Sequence, residues 1–289
     1  MRFNSQFSNA LTIDALRHYV PSAFATEAHI SRSSRYAYIP TSEVIEGLMR
    51  EGFAPFKAVQ SRSRIEGKTE FTKHMIRFRH ADAVAAASGN IPEVVIINSH
   101  DGTSAYKLLS GIFRMICTNG LIAWESKQGE ISIHHKGNVI NQVIEGSFEI
   151  IGQSQKALGT IDNWSALQLT AGEQDAFAEA AHTLRFSDAE GKVETPITAS
   201  QLLTPRRMAD RSDRGAWSRP APDLYTTMNV VQENVIRGGL SARQLGDGRS
   251  RGRMVTTREV KGIDQDVRLN RALWQLAERM AELKGSRAA

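Results

Sequence analysis

The first part of the chain alternates apolar and polar positions with the two-residue period of β-strands. Six runs have this character or the short, β-branched composition of buried strands: 53–65, 70–80, 92–98, 105–117, 121–124 and 131–134. Asp101-Gly102 and Asn119-Gly120 stand between runs, and both dipeptides are strong signals for tight turns. We therefore predict a meandering antiparallel sheet.

Apolar positions recur with helical period at 41–50 and again after residue 138. Thr170-Ala-Gly-Glu173 is a capping box, and Thr204-Pro205 places a proline at a first helical position. The predicted helices and helix starts are 41–50, 140–151, 170–184, Thr204-Pro205, 223–237 and 263–284. Residues 240–258 are rich in Gly, Ser and Arg, which predicts a mobile basic loop.

These elements predict an α+β fold, with an antiparallel β-meander sheet in the N-terminal half and a helical C-terminal half. We divide the chain into a sheet-rich part, 1–137, and a helical part, 138–289, and expect one integrated domain. The 289 residues of the chain are 41% hydrophobic and 23% charged, which is ordinary for a globular protein. The chain has a single cysteine, no membrane-length apolar run and no signal peptide, so we expect a cytoplasmic protein without a membrane partner.

The net charge of +5 is concentrated in one stretch. Residues 200–258 hold eleven Arg and five acidic residues, and the rest of the chain is close to neutral. Arginine binds phosphate oxygens with a planar fork and stacks on bases, so this stretch suggests an anionic partner. A solvated, arginine-rich surface is the alternative interpretation.

A second basic segment lies in the first two strand-like runs. Seven cations crowd residues 57–79, and strand alternation places Lys73, Arg77 and Arg79 on one face, opposite Ile76 and Phe78. Such a cationic face can follow a nucleic-acid backbone. An exposed sheet face made soluble by charge explains the same pattern.

His100 and Asp101 are the candidates for catalysis because they stand side by side. Neighbours in a regular strand point to opposite faces, so both cannot serve one site from a strand. Asp101 before Gly102 is explained by a turn, and His100 at the strand end can hydrogen-bond that turn. We favour this structural interpretation and predict no catalytic residue, with a hydrolase that uses both residues as the alternative.

Other reactive residues give no recognisable motif. Cys117 lies in an apolar run and is expected to pack in the core. His134 and His135 are adjacent, which is not a metal-ligand spacing, and no nucleotide-binding or serine-hydrolase motif is present. We expect no metal, no cofactor and no enzyme activity.

Two runs, 98–106 and 111–121, together resemble the signature of the domain-of-unknown-function 932 family, and 224–234 with 257–264 also resemble its members. The likeness extends over most of the chain. The signature residues are Asn98, His100, Asp101, Gly102, Arg114, Asn119 and Gly120. The resemblance implies a phage- or plasmid-like protein of a bacterial mobile genetic element, and it assigns no reaction.

The outline of a β-meander, a basic hairpin and following helices is also similar to phage single-strand annealing proteins, which assemble into rings or filaments. We therefore predict a nucleic-acid-binding protein, with single-stranded DNA favoured, that acts in DNA recombination and forms a homo-oligomer. The residues expected to contact phosphates are Lys57, Arg62, Arg64, Lys73, Arg77, Arg79, Arg249, Arg251 and Arg253. The alternative is an anti-restriction-like module that binds a host defence protein, although the positive net charge disfavours DNA mimicry.

Overall fold

The sheet and the C-terminal helices lie in two compact units, Met1–Leu158 and Gly159–Ala289. The computed structural model describes residues 10–32, 38–83, 89–114, 119–123, 130–133, 138–212, 219–244 and 252–288. The sheet precedes most of the helices, which confirms the predicted α+β class. The division into parts 1–137 and 138–289 stays a prediction.

The first unit contains an antiparallel sheet in which consecutive strands are neighbours, as a meander requires. Its strands are β1 Phe53–Gln60, β2 His74–His80, β3 Asn90–Asn98, β4 Tyr106–Arg114, β5 Asn119–Ile122 and β6 Glu130–Ile133. Strand β6 also pairs with β4, beside β5 along the same edge. The predicted meander is therefore confirmed.

Helices cover one face of this sheet. They are α1 Ile13–Tyr19, α2 Thr41–Arg50 and the first part of α3 Val139–Ala166. Ile76 and Phe78 of β2 point into this core, as strand alternation predicted, and pack in one cluster with Val44 and Leu48 of α2 and Val143 of α3. Burial of these apolar side chains is the main force that holds the helices on the sheet.

Neither predicted two-residue turn is present in the structure. Strands β3 and β4 form the predicted antiparallel pair, but residues 99–105 connect them, so a two-residue turn at Asp101-Gly102 is wrong. Asn119 and Gly120 begin strand β5 instead of forming a turn, because their backbones pair with Arg114 and Phe113. Cys117, His134 and His135 lie outside the described residues.

The second unit contains the remaining helices and a short two-stranded ribbon. Its elements are the end of α3, α4 Ala171–Phe186, α5 Ala199–Leu202, α6 Leu224–Arg237, β7 Ser241–Gln244, β8 Arg253–Thr256 and α7 Ile263–Ala288. The capping box of Thr170 and Glu173 is present, and the side chain of Asp223 caps α6.

Two predictions for this unit are wrong. No helix begins at Thr204-Pro205, because the side chain of Asn234 donates to the carbonyls of Leu202 and Thr204 at 2.8 and 3.0 Å and fixes a non-helical segment. The stretch 240–258 is not a loop throughout, because β7 and β8 pair within it. Arg249 and Arg251 lie in residues 245–251, outside the described part of the chain.

Helix α6 is the centre of the second unit and is buried on nearly all sides. Gln232 donates to Asn270 of α7 at 2.8 Å, so the buried amide is paired. The rings of Trp164 and Trp274 pack 4.6 Å apart. This environment fixes the end of α6, from which the ribbon begins.

Candidate functional site

The sheet face predicted to be cationic and solvent-exposed is buried at its centre. Arg77 and Arg79 are 2% and 8% exposed, so the expectation that they face solvent is wrong. Arg77 Nε donates to Glu93 Oε2 at 2.5 Å, and Arg79 Nε donates to Oε1 at 2.8 Å. Alternation placed both arginines on the same face correctly, but it cannot tell an exposed face from a covered one.

The two arginines and Glu93 form a buried polar cluster. Arg77 Nη2 also donates to the carbonyl of Leu121 at 2.8 Å. The guanidinium of Arg79 lies between two rings, 3.9 Å from the centroid of Phe56 and 3.7 Å from that of Phe113. Burial lowers the pKa of Arg79, and Glu93 opposes this effect. These contacts are those of a structural ion-pair cluster.

The other predicted phosphate contacts in this segment lie nearer the surface. Arg62 and Arg64 are exposed in the connection between β1 and β2, and Lys57 is exposed on β1. Lys73 is half-buried. These four side chains keep the basic character of the segment, although its strand face does not.

The signature residues Asn98 and His100 meet at the hydroxyl of Thr41, the first residue of α2. Four polar atoms surround this oxygen: Asn98 Nδ2 and His74 Nε2 at 3.0 Å, Tyr106 OH at 3.1 Å and His100 Nε2 at 3.2 Å. All five residues are 1% exposed or less. The hydroxyl therefore ties helix α2 to the start of β2, the end of β3 and the start of β4.

One arrangement of protons supplies a donor for each of these contacts except the one between the hydroxyls of Thr41 and Tyr106. His74 Nδ1 lies 3.3 Å from the carbonyl of Thr72, which can only accept, and 3.0 Å from the hydroxyl of Ser22, which can donate or accept. With the proton on Nδ1, Nε2 accepts from Thr41. The hydroxyl of Thr41 then accepts from Asn98 and His100. Tyr106 donates to the carbonyl of Ile39 at 3.1 Å. Both imidazoles are neutral in this arrangement.

Electrostatics agrees with a neutral His74. Burial first, and then the neighbouring His100, lower the pKa of His74 to about 3. The ring centroids of His74 and His100 lie 5.5 Å apart, so two charged rings would repel strongly in this buried site. The pair is suited to holding the loop in place and not to exchanging protons with a substrate in solvent.

Asp101 shapes the loop between β3 and β4. Its Oδ1 accepts from the backbone N–H of Thr103 at 3.0 Å and from the Thr103 hydroxyl at 2.6 Å, and Lys68 Nζ lies 3.4 Å from Oδ2. Burial alone raises the pKa of Asp101, but the hydrogen bonds from Thr103 and the charge of Lys68 outweigh burial and lower it. Gly102 has φ +75°, which other residues rarely adopt.

The remaining signature residues, Arg114, Asn119 and Gly120, lie in strands β4 and β5. Arg114 is buried at the end of β4, where its backbone pairs with Asn90 and Asn119. No group of three or more potential metal-ligating side chains comes together within the described residues. The geometry of the signature is therefore that of a packed junction between strands and helix α2.

The ribbon of the second unit carries exposed basic side chains on both of its strands. Arg243 of β7 and Arg253 of β8 are both exposed, and Met254 is 55% exposed. Arg243 pairs with Met254, and Arg253 pairs with Gln244. Because paired residues share a face, each face of the ribbon presents one arginine.

The base of the ribbon is held firmly on helix α6. Gly238, which ends the helix, has φ +63°, and a Cβ atom there would lie 2.5 Å from the carbonyl carbon of Arg258. Only glycine allows this close approach of the two chain segments. Gly239 N donates to the carbonyl of Thr257 at 2.8 Å, and Thr257 N donates to that of Leu240 at 2.8 Å.

Arginines surround this base. Arg185 donates to the carbonyls of Val235 and Arg258 at 3.2 Å each, and Arg206 donates to that of Gly238. Arg237, at the end of α6, bonds to Glu233. These arginines lie in the basic stretch 200–258 or near it, but the sequence pattern does not show that they converge. The glycine pair Gly238-Gly239, which ends helix α6, was the available sequence signal for this junction.

Comparison with known proteins places this α+β chain in a family. The model of a domain of unknown function (DUF932) matches residues 28–274, and the chain belongs to that family. The chain is 46% identical to UPF0380 protein YafZ and 45% identical to UPF0380 protein YfjQ, both of Escherichia coli strain K12. Each alignment spans 268 residues, 93% of this chain and 90% of the relative.

No solved structure gives a significant match to the chain. The predicted resemblance to the family is confirmed, and the family description carries no activity. Among the described residues, no helix combines the length and the apolar character that a membrane crossing requires.

Proposed function

We propose that this protein binds nucleic acid, with single-stranded DNA as the favoured form, through ribbon β7–β8 and the basic residues at its base. The observation that carries the proposal is the exposure of Arg243 and Arg253 on opposite faces of the ribbon. A two-stranded ribbon that buries little has weak packing of its own, and a bound partner would stabilise it.

The chemistry of the ribbon fits a phosphate backbone with unpaired bases. Arginine forks pair with phosphate oxygens and stack on base faces. The exposed thioether of Met254, beside Arg243, adds an apolar contact for a base that is not buried in a duplex. Arg258 and Lys261 are exposed on the segment that follows the ribbon, and they extend the basic surface.

Residues 245–251 join the two strands of the ribbon and carry Arg249 and Arg251. We include both in the proposed interface, together with Arg253, and treat Lys57, Arg62, Arg64 and Lys73 of the first unit as a second basic segment. Arg77 and Arg79 are left out because Glu93 already pairs with them. We further propose that binding serves DNA recombination in a mobile genetic element, as the resemblance to phage- and plasmid-like proteins implied.

Fluorescence anisotropy with one sequence, as a labelled single strand and as a duplex, tests this function. The expected result is binding of the single strand at low salt, weaker binding of the duplex, and a steep loss of affinity as salt rises. Absence of binding to either form at low salt would refute the proposal. Single-strand binding would be followed by a strand-annealing assay, in which unchanged annealing rates with and without protein would refute the recombination role.

A further inference from the structure

The end of helix α6 brings three arginines together, two of which bond to the same carboxylate. Arg237 Nη1 lies 2.7 Å from Glu233 Oε1, and Arg207 Nη2 lies 3.3 Å from the same oxygen. Arg206, the neighbour of Arg207 in sequence, donates from Nε to Asn234 Oδ1 at 2.7 Å. Residues 233, 234 and 237 belong to the last turns of α6, so one helix end holds all three guanidinium groups.

The arginines are positioned and yet accessible. Asn234 is 2% exposed and Glu233 is 3% exposed, so their side chains have fixed positions in the packed helix. The side chains of Arg207 and Arg237 are 28% and 40% exposed, and Arg206 is also exposed. Buried acceptors thus orient cations that still reach solvent.

Arg206 brings a charge to this cluster that its own hydrogen bonds do not neutralise. Both hydrogen bonds of Arg206, to Asn234 and to the carbonyl of Gly238, go to neutral oxygens. Burial lowers the pKa of Arg206, and the charges of Arg237 and Arg207 lower it further against the attraction of Glu233. An anion between the guanidinium groups would relieve this repulsion.

We propose that Arg206, Arg207 and Arg237 form a phosphate-binding subsite at the base of ribbon β7–β8. Guanidinium forks match the geometry of phosphate oxygens and give charge-assisted hydrogen bonds. The subsite rests on the proposed function in one respect, since it takes the phosphate to belong to a nucleic acid that also contacts the ribbon. Arg206 bonds to Gly238, the residue that begins the chain toward β7, so the subsite and the ribbon are adjacent.

Glu233 and Asn234 act as positioning residues in this proposal. Glu233 holds Arg207 and Arg237, and Asn234 holds Arg206 while it also fixes the segment 202–204 through two backbone carbonyls. The subsite therefore needs none of the residues 245–251. It can bind a small anion without the ribbon.

Isothermal titration of the full-length protein with inorganic pyrophosphate tests the subsite directly. Arg207→Gln and Arg237→Gln each remove one fork, and we expect each to weaken pyrophosphate binding about tenfold, the loss of one charge-assisted hydrogen bond. Arg279→Gln is the matched control because Arg279 is 75% exposed on α7 and carries the same charge. It should leave the affinity unchanged, and Arg237→Lys should give an intermediate value because lysine keeps the charge but lacks the fork.

The results separate the subsite from the proposed function. Pyrophosphate binding that all three Gln variants weaken equally, or that wild type lacks at millimolar concentration, would overturn the subsite. Pyrophosphate binding lost only in Arg207→Gln and Arg237→Gln would support it, even if no oligonucleotide bound. Oligonucleotide binding that neither variant weakens would overturn the subsite and leave the proposed function standing. Melting curves of each variant confirm that it is folded.

Discussion

His74 Nε2 lies 3.0 Å from the hydroxyl oxygen of Thr41 in the interior of the unit Met1–Leu158. Pro40 occupies the cap position before helix α2, and Thr41 gives its side chain to the buried network. The pair thereby joins the start of strand β2 to the start of helix α2. The sequence signature around His100 completes the same junction.

Acid should destabilise this junction through His74. Its pKa in the fold is about 3, below the ordinary value of 6.5, so the unfolded chain binds the additional proton. The part of the free energy of unfolding that depends on neutral His74 is fully present above pH 6.5. It is lost as the pH falls toward 3, at up to about 1.4 kcal/mol per pH unit. Urea unfolding between pH 4 and 7.5 measures it.

A variant identifies the titrating group. His74→Gln cannot bind the proton, so its stability should depend less on pH over this window than that of wild type. His18→Gln, at an exposed position of α1, should keep the wild-type dependence. If His74→Gln and wild type showed the same slope, His74 would not be the group responsible.

Glu93 should be essential to the stability of the sheet. Glu93→Gln leaves Arg77 and Arg79 buried without their carboxylate, and we expect a loss of about 3 kcal/mol or more in the free energy of unfolding. Glu194→Gln removes a carboxylate whose pair with Lys192 is exposed, and it should cost less than about 0.5 kcal/mol. Chemical denaturation measures the loss of stability in both variants. Equal losses would contradict the structural role of the ion-pair cluster of Arg77, Arg79 and Glu93.

Gly102 should be needed for the loop between β3 and β4. Gly102→Ala places a side chain at φ +75°, and we expect a loss of about 1 kcal/mol in the free energy of unfolding. Gly152→Ala makes the same change inside helix α3, where a Cβ atom meets nothing within 4 Å, and should stabilise by up to about 1 kcal/mol. Thermal melts that shift in the same direction for both variants would refute this account of the loop.

The sequence predicts elements well where one periodicity dominates. Alternation in β2 correctly placed Ile76 and Phe78 in the core, and the capping box at Thr170 marked the start of α4. The same alternation gave the wrong environment for Arg77 and Arg79 because burial depends on what covers a face. Glu93, a single carboxylate in an apolar strand, was the available signal for buried partners.

Tertiary contacts explain the other differences. Asn119-Gly120 has turn propensity, but pairing with β4 overrides it. Pairing between β7 and β8 likewise overrides the loop-like composition of 240–258. The cluster of Arg206, Arg207 and Arg237 depends on the segment after α5 lying against α6, which no local pattern specifies.

The most direct test of the account is the salt dependence of single-stranded oligonucleotide binding for the double variant Arg243→Gln/Arg253→Gln. We expect weaker binding and a slope of log K against log salt that is smaller by about 1.4, since two phosphate contacts to a single strand are lost. The double variant Arg268→Gln/Arg279→Gln, at exposed positions of α7, makes the same change in charge and should bind as wild type does. Equal losses of affinity in the two double variants, or none in either, would contradict the ribbon as the nucleic-acid interface.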